Sequence, residues 1–217
     1  MRLAVIGNGN MGRILQSIAS SEIVAVIENF EYQVLNDELN IDVIIDFSHR
    51  NNLKYIYDYA MKHKCKVVIA TTNLNDEDKE LIYDLANYVP IMLDSNYSYG
   101  ILLIKEILIN NLDNISKFDI ELIETHHKYK KDAPSGTMKS IESILDSKEL
   151  HYNTHSLRAG TVRGEHSIIL YGDDEIIEIK HTSLSRKIYA LGALEASKWL
   201  MCQEKGLFSY KDCIFSK

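Results

Sequence analysis

A short apolar run at residues 3–6 leads directly into Gly7-Asn8-Gly9-Asn10-Met11-Gly12, and an amphipathic segment follows. No other feature restricts the backbone of this chain so tightly. The first glycine permits the turn out of a strand. The second lets main-chain N–H groups approach a pyrophosphate, and the third lets the ensuing helix pack closely on the strand. Glu28 falls 21 residues after Gly7, at the end of a second apolar run, residues 23–27. A carboxylate there is placed to accept hydrogen bonds from an adenosine ribose. Glycine-rich turns are often only turns, but this one stands where a dinucleotide-binding βαβ unit needs it.

The first half of the chain repeats the same rhythm. Residues 41–47, 67–71 and 89–93 read as buried strands, and residues 51–63 and 76–87 as amphipathic helices. Strands alternating with helices predict an α/β fold built on a Rossmann-type doubly wound parallel sheet. The link between the second and third strands is short, so the usual helix there is expected to be missing or reduced to a turn. After residue 98 the pattern changes. Residues 99–111 and 135–147 read as helices, the latter with Met138, Ile141, Ile144 and Leu145 at helical spacing, and 118–124 reads as a strand. Strand-like runs at 166–171 and 175–181 flank Gly172-Asp173-Asp174, a hairpin turn signal. These predict a second α+β domain on a mixed sheet at residues 98–191. Residues 1–97 form the dinucleotide-binding domain, and 192–217 return to it.

Charge and composition narrow the functional classes. A net charge of −7 argues against a general nucleic-acid binder, which needs a basic surface. The longest apolar helix-like run, residues 101–109, is interrupted by Lys105 and Glu106, so no membrane span is expected. Cys65, Cys202 and Cys213 are widely spaced and form no Cys-x-x-Cys pair, which fits packed, reduced thiols in a cytoplasmic protein. His126 and His127 are adjacent, and neighbours on a strand point to opposite faces, so no metal site is expected from them.

The densest chemistry lies at residues 121–137, Glu-Leu-Ile-Glu-Thr-His-His-Lys-Tyr-Lys-Lys-Asp-Ala-Pro-Ser-Gly-Thr. Imidazoles exchange protons near neutral pH, ammonium groups hold anions, and the Ser-Gly-Thr turn opens a helix whose free N–H groups bind negative charge. Such a segment suits an acid–base enzyme acting on a small carboxylate. Read by composition alone, it is also compatible with a solvated basic loop.

The order His126-His127-x-x-Lys130-x-Asp132-Ala133-Pro134-Ser135-Gly136-Thr137 closely resembles the signature of the 4-hydroxy-tetrahydrodipicolinate reductase (dihydrodipicolinate reductase) family of lysine and diaminopimelate biosynthesis. The resemblance extends to Arg158-Ala159-Gly160, Gly164-Glu165-His166, Ser185-Arg186 and Gly192-Ala193, and so to nearly the whole chain. It implies NAD(P)H-dependent reduction of a cyclic dicarboxylate with loss of water. His126 is then the general acid and Lys130 its cationic partner, with His127, Ser135, Gly136 and Thr137 binding substrate. Ala70-Thr71-Thr72 and Asp94-Ser95-Asn96-Tyr97 match two further cofactor segments, joining Gly7–Gly12 and Glu28. The resemblance also implies a homotetramer formed through the second domain. His166 reads as a buried structural group.

Two departures concern the cofactor. Where relatives that favour NADPH carry an arginine after the ribose-binding acid, this chain has neutral Asn29. Asp46-Phe47-Ser48 is followed by His49 and Arg50, and Arg50 either serves a phosphate or faces solvent. NADH is therefore expected to serve at least as well as NADPH. Another imine- or keto-reducing dehydrogenase, a nucleotide sensor and a catalytically silent subunit are the alternative classes. Of these, none shares the His126–Thr137 spacing together with turnover.

Overall fold

The computed structural model describes residues 1–28 and 34–216, which form two compact units, Met1–Tyr97 with Lys187–Lys217, and Ser98–Arg186. The first unit opens with β1 (Leu3–Ile6), α1 (Asn10–Ile18) and β2 (Ile23–Ile27). Then come β3 (Val43–Asp46), α2 (Leu53–His63), β4 (Lys66–Ile69), α3 (Asp76–Ala86) and β5 (Pro90–Leu93). Every residue of β1 and β3 is buried. Strands covered on both faces read as continuous apolar runs, as these do. The start of α3 is fixed by a capping box, in which Asn75 accepts from the Asp78 N–H and Asp78 accepts from the Asn75 N–H. Between β2 and β3 the described residues hold one 3₁₀ turn, Asp37–Leu39, in place of a crossover helix.

The second unit runs through α4 (Tyr99–Ile109), α5 (Leu112–Ile115), β6 (Asp119–His126), α6 (Gly136–Asp146), β7 (Tyr152–Arg158), β8 (Glu165–Tyr171) and β9 (Ile176–Thr182). The chain then re-enters the first unit as α7 (Lys187–Leu200), β10 (Gly206–Phe208) and α8 (Tyr210–Phe215). The first sheet is parallel with order β10-β5-β4-β3-β1-β2. The order in which successive strands are added reverses between β1 and β3, which is where an open α/β sheet forms its binding crevice. The second sheet is mixed, order β7-β6-β8-β9, with β7 parallel to β6 and the other pairs antiparallel. Ile120, Leu122, Ile168 and Leu170 face inward from it onto Ile104, Leu108, Met138, Ile141 and Leu145 of the helices. The doubly wound sheet with a second mixed sheet is the architecture read from the sequence.

Three elements differ from that reading. β7 falls where the sequence shows no strand pattern, because Tyr-Asn-Thr-His-Ser-Leu-Arg carries polar residues on both faces. It forms as an edge strand through its ladder with β6, a non-local cause that periodicity does not register. β10 is only three residues long and pairs with β5, and α8 is a six-residue helix behind a Ser209–Asp212 capping box. Of the cysteines, Cys65 is buried with its thiol pushed up to about 12 by desolvation, whereas Cys202 is exposed rather than packed.

Candidate active site

In the first unit, Gly7 has φ +101, a left-handed conformation that favours glycine, and a Cβ there would stand 2.6 Å from the Phe47 carbonyl oxygen. A Cβ on Gly12 would lie 1.8 Å from the Gly7 carbonyl oxygen, so only hydrogen allows α1 to start this close to the loop. Gly9 differs: a Cβ there meets no protein atom within 4 Å. Gly9 is the N-cap of α1 and makes no side-chain cap bond, so the first-turn N–H groups around Asn10 and Met11 form an open cradle for an anion. That geometry fits the pyrophosphate of a dinucleotide. Asn8 is half-buried, and its side chain accepts a 3.1 Å bond from Gln16.

The other segments expected to bind the cofactor lie along the same carboxyl edge. Buried Asp46, at the end of β3, accepts from the Ser48 N–H at 3.0 Å and from the Thr71 hydroxyl at 2.7 Å, tying the loops after β3 and β4 together. Desolvation pushes the Asp46 carboxyl above the ordinary range, partly offset by these donors. Ala70 is half-buried and Thr72 exposed beside it. After β5, Asp94 accepts from the Asn96 N–H at 3.1 Å and Ser95 is exposed. Tyr97 is fully buried, and its hydroxyl donates to the Ile69 and Met92 carbonyls, so its side chain anchors this loop from within. Glu28 is exposed directly after β2. Asn29 lies outside the described residues. Arg50 is ion-paired with Asp78, and Nδ1 of His49 accepts from the Asn51 N–H, so both side chains are engaged near α2 and α3.

In the second unit β6 decides the geometry. Its burial alternates strictly, and Ile120, Leu122, Glu124 and His126 share the inner face. A carboxylate at a core position demands partners. Glu124 receives the Ser135 N–H at 3.1 Å on both oxygens, the Ser156 hydroxyl at 2.8 Å and the Arg158 guanidinium at 3.0 Å. Its Oε2 stands 3.7 Å from Nδ1 of His126 and 3.9 Å from Nε2 of His166. Arg158 also donates to the Asp132 main-chain carbonyl at 2.5 Å. The loop folds back through a turn in which the Lys130 N–H donates to the His127 carbonyl, bringing the Lys130 ammonium onto both Asp132 carboxylate oxygens at 2.8 Å. Beyond the cis Ala133–Pro134 peptide, Ser135 caps α6 through the Met138 N–H. Exposed Gly136 and half-buried Thr137 form the first turn, and His127 is half-buried after the strand. His126, Lys130, Ser135, Gly136 and Thr137 are thus brought to one end of the second sheet.

The charges settle into a definite pattern. Burial alone pushes the Glu124 carboxyl up, but the bonds from Ser135, Ser156 and Arg158 outweigh it and hold the acid ionised below its usual range. Desolvation lowers the proton affinity of His126, opposed by Glu124 and reinforced by Lys130 and Arg158. His166 falls to about 4, by burial and by the charge of His126. Lys130 holds Asp132 below the ordinary carboxylate range.

Glu124, His126 and His166 offer three ligand atoms within 4.8 Å of one another, a grouping the adjacent-histidine argument did not anticipate because His166 arrives from β8. The donor set nevertheless fits a metal poorly, since the Arg158 guanidinium already supplies the cation that Glu124 neutralises. Glu124, Arg158 and His166 are the members of this cluster that sequence reasoning gave no active role. One signal for Glu124 was available, a charged residue in phase with Ile120 and Leu122.

Residues 1–97 match the family model described as Dihydrodipicolinate reductase, N-terminus, and residues 100–214 that described as Dihydrodipicolinate reductase, C-terminus. A 4-hydroxy-tetrahydrodipicolinate reductase of Brachyspira hyodysenteriae is 38% identical over 99% of this chain and 100% of its own. One from Thermosipho africanus is 33% identical over 99% of this chain and 98% of its own. Among solved structures, dipicolinate-bound dihydrodipicolinate reductase from Paenisporosarcina sp. TG-14 superposes with a TM-score of 0.81 at 20% identity, covering 99% of both chains, a likeness of fold.

Proposed function

The chain belongs to the dihydrodipicolinate reductase family, and from that premise we propose how its own residues divide the work. It is an oxidoreductase of lysine and diaminopimelate biosynthesis that reduces 4-hydroxy-tetrahydrodipicolinate to tetrahydrodipicolinate with loss of water, using a nicotinamide cofactor. The observation that supports the residue assignment is that buried Glu124 borders His126 and the amino end of α6, while Arg158 on the same carboxylate reaches the loop that carries Lys130.

The substrate is a small dicarboxylate, as is the dipicolinate bound to the Paenisporosarcina relative. Gly136 and Thr137 receive one carboxylate on the first-turn N–H groups of α6, with Ser135 and His127 bordering it. Lys130 leaves Asp132 to meet negative charge as it develops on the ring. His126 donates a proton to the carbon beside the one being reduced. Free of ligand, its proton affinity is depressed by burial, and a bound dianion raises it toward neutrality. When bound, the reduced nicotinamide supplies the hydride. Gly7, Asn8, Gly9, Asn10, Met11 and Gly12 hold its pyrophosphate and Glu28 its ribose. Ala70, Thr71, Thr72, Asp94, Ser95, Asn96 and Tyr97 shape the edge along which the rest of it lies.

The carboxylate of Glu28, together with Arg50 engaged by Asp78, favours a free ribose hydroxyl over a phosphate, so NADH serves at least as well as NADPH. The enzyme assembles as a cytoplasmic homotetramer through the open face of the second sheet, where Leu157, Tyr171 and Ile176 are exposed. Freshly generated 4-hydroxy-tetrahydrodipicolinate added to the purified protein should consume NADH stoichiometrically, and a failure to do so removes the functional reading. A strong preference for NADPH in kcat/KM refutes the cofactor assignment, and a monomer by light scattering at micromolar concentration refutes the assembly.

A further inference from the structure

Glu124 touches more of the active end of the second unit than any group assigned a chemical role. It sits on the inner face of β6 one alternation before His126, fully buried and held by Ser135, Ser156 and Arg158. Two of these contacts lead to different functional elements. Through the Ser135 N–H it fixes the residue that caps α6, whose first turn bears Gly136 and Thr137. Through Arg158 it reaches the Asp132 carbonyl, and the Asp132 side chain holds Lys130. Its Oε2, which also accepts from the Ser135 N–H, faces Nδ1 of His126, an atom that has no hydrogen-bond partner among the described residues. On the opposite side of that ring, Nε2 lies toward Gly164, where a Cβ would approach it to 3.2 Å. A glycine therefore leaves clearance beside the nitrogen that does not face Glu124.

We propose that Glu124 is the positioning residue of the reduction: it engages Nδ1 of His126 so that Nε2 gives up the proton, and through Arg158 and Ser135 it pins the Lys130 loop and the anion-binding turn of α6. This inference rests on His126 being the general acid. An imidazolium with Nδ1–H directed at a carboxylate donates from Nε2 to the substrate carbon and becomes the neutral Nδ1–H tautomer, and solvent then returns a proton to Nε2. A buried acid that orients and charges a neighbouring histidine in this way is an established solution for proton transfer. The 3.7 Å separation is longer than a hydrogen bond, and the proposed role requires it to shorten when substrate binds. Arg158 keeps the arrangement stable by neutralising Glu124 without covering Oε2. The charged and titratable groups facing His126 are Glu124 on its own strand, Lys130 and Asp132 from the loop, Arg158 from β7 and His166 from β8. Among the nearest of these, Glu124 favours the imidazolium, while Lys130 and Arg158 oppose it.

The decisive comparison is Glu124→Gln, Glu124→Asp and His126→Gln, each followed by kcat and KM across pH and by NADH titration. Removing the charge in Glu124→Gln should lower kcat roughly tenfold or more. It should also move the alkaline limb of kcat, where the general acid loses its proton, to lower pH. NADH affinity should be unchanged, because Gly7–Gly12 and Glu28 belong to the first unit. Glu124→Asp, which restores a carboxylate, should return the limb toward the wild-type position. A purely structural Glu124 changes activity in Glu124→Gln without moving the limb, and that result overturns the proposal, as does Glu124→Asp behaving like Glu124→Gln. Should Glu124→Gln fail to fold, ¹⁵N NMR of the wild-type imidazole, assigned by its absence from His126→Gln, decides the matter. A neutral Nδ1–H tautomer is expected, and Nε2–H rejects the proposal. Normal turnover in His126→Gln would remove the general-acid reading itself. Loss of turnover there, with an unmoved limb in Glu124→Gln, removes only the role of Glu124.

Discussion

The glycine loop offers a clean separation of folding from cofactor binding, because its second and third glycines stand in opposite surroundings. Gly9 has φ −76 and ψ −164, extended backbone that alanine adopts freely, and its Cβ would point into open space. Gly9→Ala should therefore melt at nearly the wild-type temperature. The methyl group would occupy the space through which a pyrophosphate reaches the first N–H groups of α1. Loss of one or two bonds to a charged group costs about 1.5–3 kcal/mol, which corresponds to roughly a 10- to 100-fold weaker NADH affinity. Gly12→Ala is the contrast. Its Cβ would fall 1.8 Å from the Gly7 carbonyl oxygen, a backbone atom that cannot rotate aside, so α1 must shift. Overpacking on this scale costs about 3 kcal/mol, or roughly 10 °C in Tm for a chain of this size. Fluorescence titration with NADH and a thermal melt, run on both variants, report the two effects independently. Wild-type NADH affinity in Gly9→Ala refutes the placement of the pyrophosphate, and a melt as low as that of Gly12→Ala refutes the reading of open space.

Thr137→Val removes a hydroxyl from the first turn of α6 but leaves His126 and Lys130 in place, so KM for the dicarboxylate should rise about tenfold with kcat little changed, as steady-state kinetics will show. A planar pyridine dicarboxylate should compete for the same turn, and purely noncompetitive inhibition would contradict the clamp. Stability should fall on acidification through His166. Its folded pKa is depressed to about 4 from 6.5, so the unfolded chain binds the proton first, and the contribution present above 6.5 is lost as pH falls toward 4. That loss amounts to about 3 kcal/mol, and His166→Gln should flatten the corresponding limb of Tm against pH. Glu124 and Asp132, both depressed, add a further loss at still lower pH as each is protonated.

Much of this architecture is visible in one-dimensional patterns because its causes are local. Residues 43–45 and 67–69 are apolar runs covered on both faces, and Asn75 and Ser135 announce the helices they cap. The loop of Gly7, Gly9 and Gly12 is legible for the same reason, since turn, approach and packing each demand glycine at a fixed offset. What escaped depends on partners distant in sequence. β7 lacks an apolar face and exists through pairing with β6. The buried hub unites Glu124 with Ser156 and Arg158, more than thirty residues away along the chain, and with His166 beyond them. No spacing rule links those positions. The in-phase charge at Glu124 signals a buried site without revealing who fills it. Arg50 illustrates the converse: its sequence position offers a phosphate ligand, yet Asp78 at the start of α3 claims it.

The central claim is that His126 and Lys130 perform the chemistry while another part of the chain holds the cofactor. Steady-state turnover with freshly generated substrate, measured beside NADH titration for His126→Gln and Lys130→Ala, tests it most directly. Each variant should lose roughly two orders of magnitude or more in kcat while binding NADH with near wild-type affinity. Near-normal turnover in both variants would contradict the account.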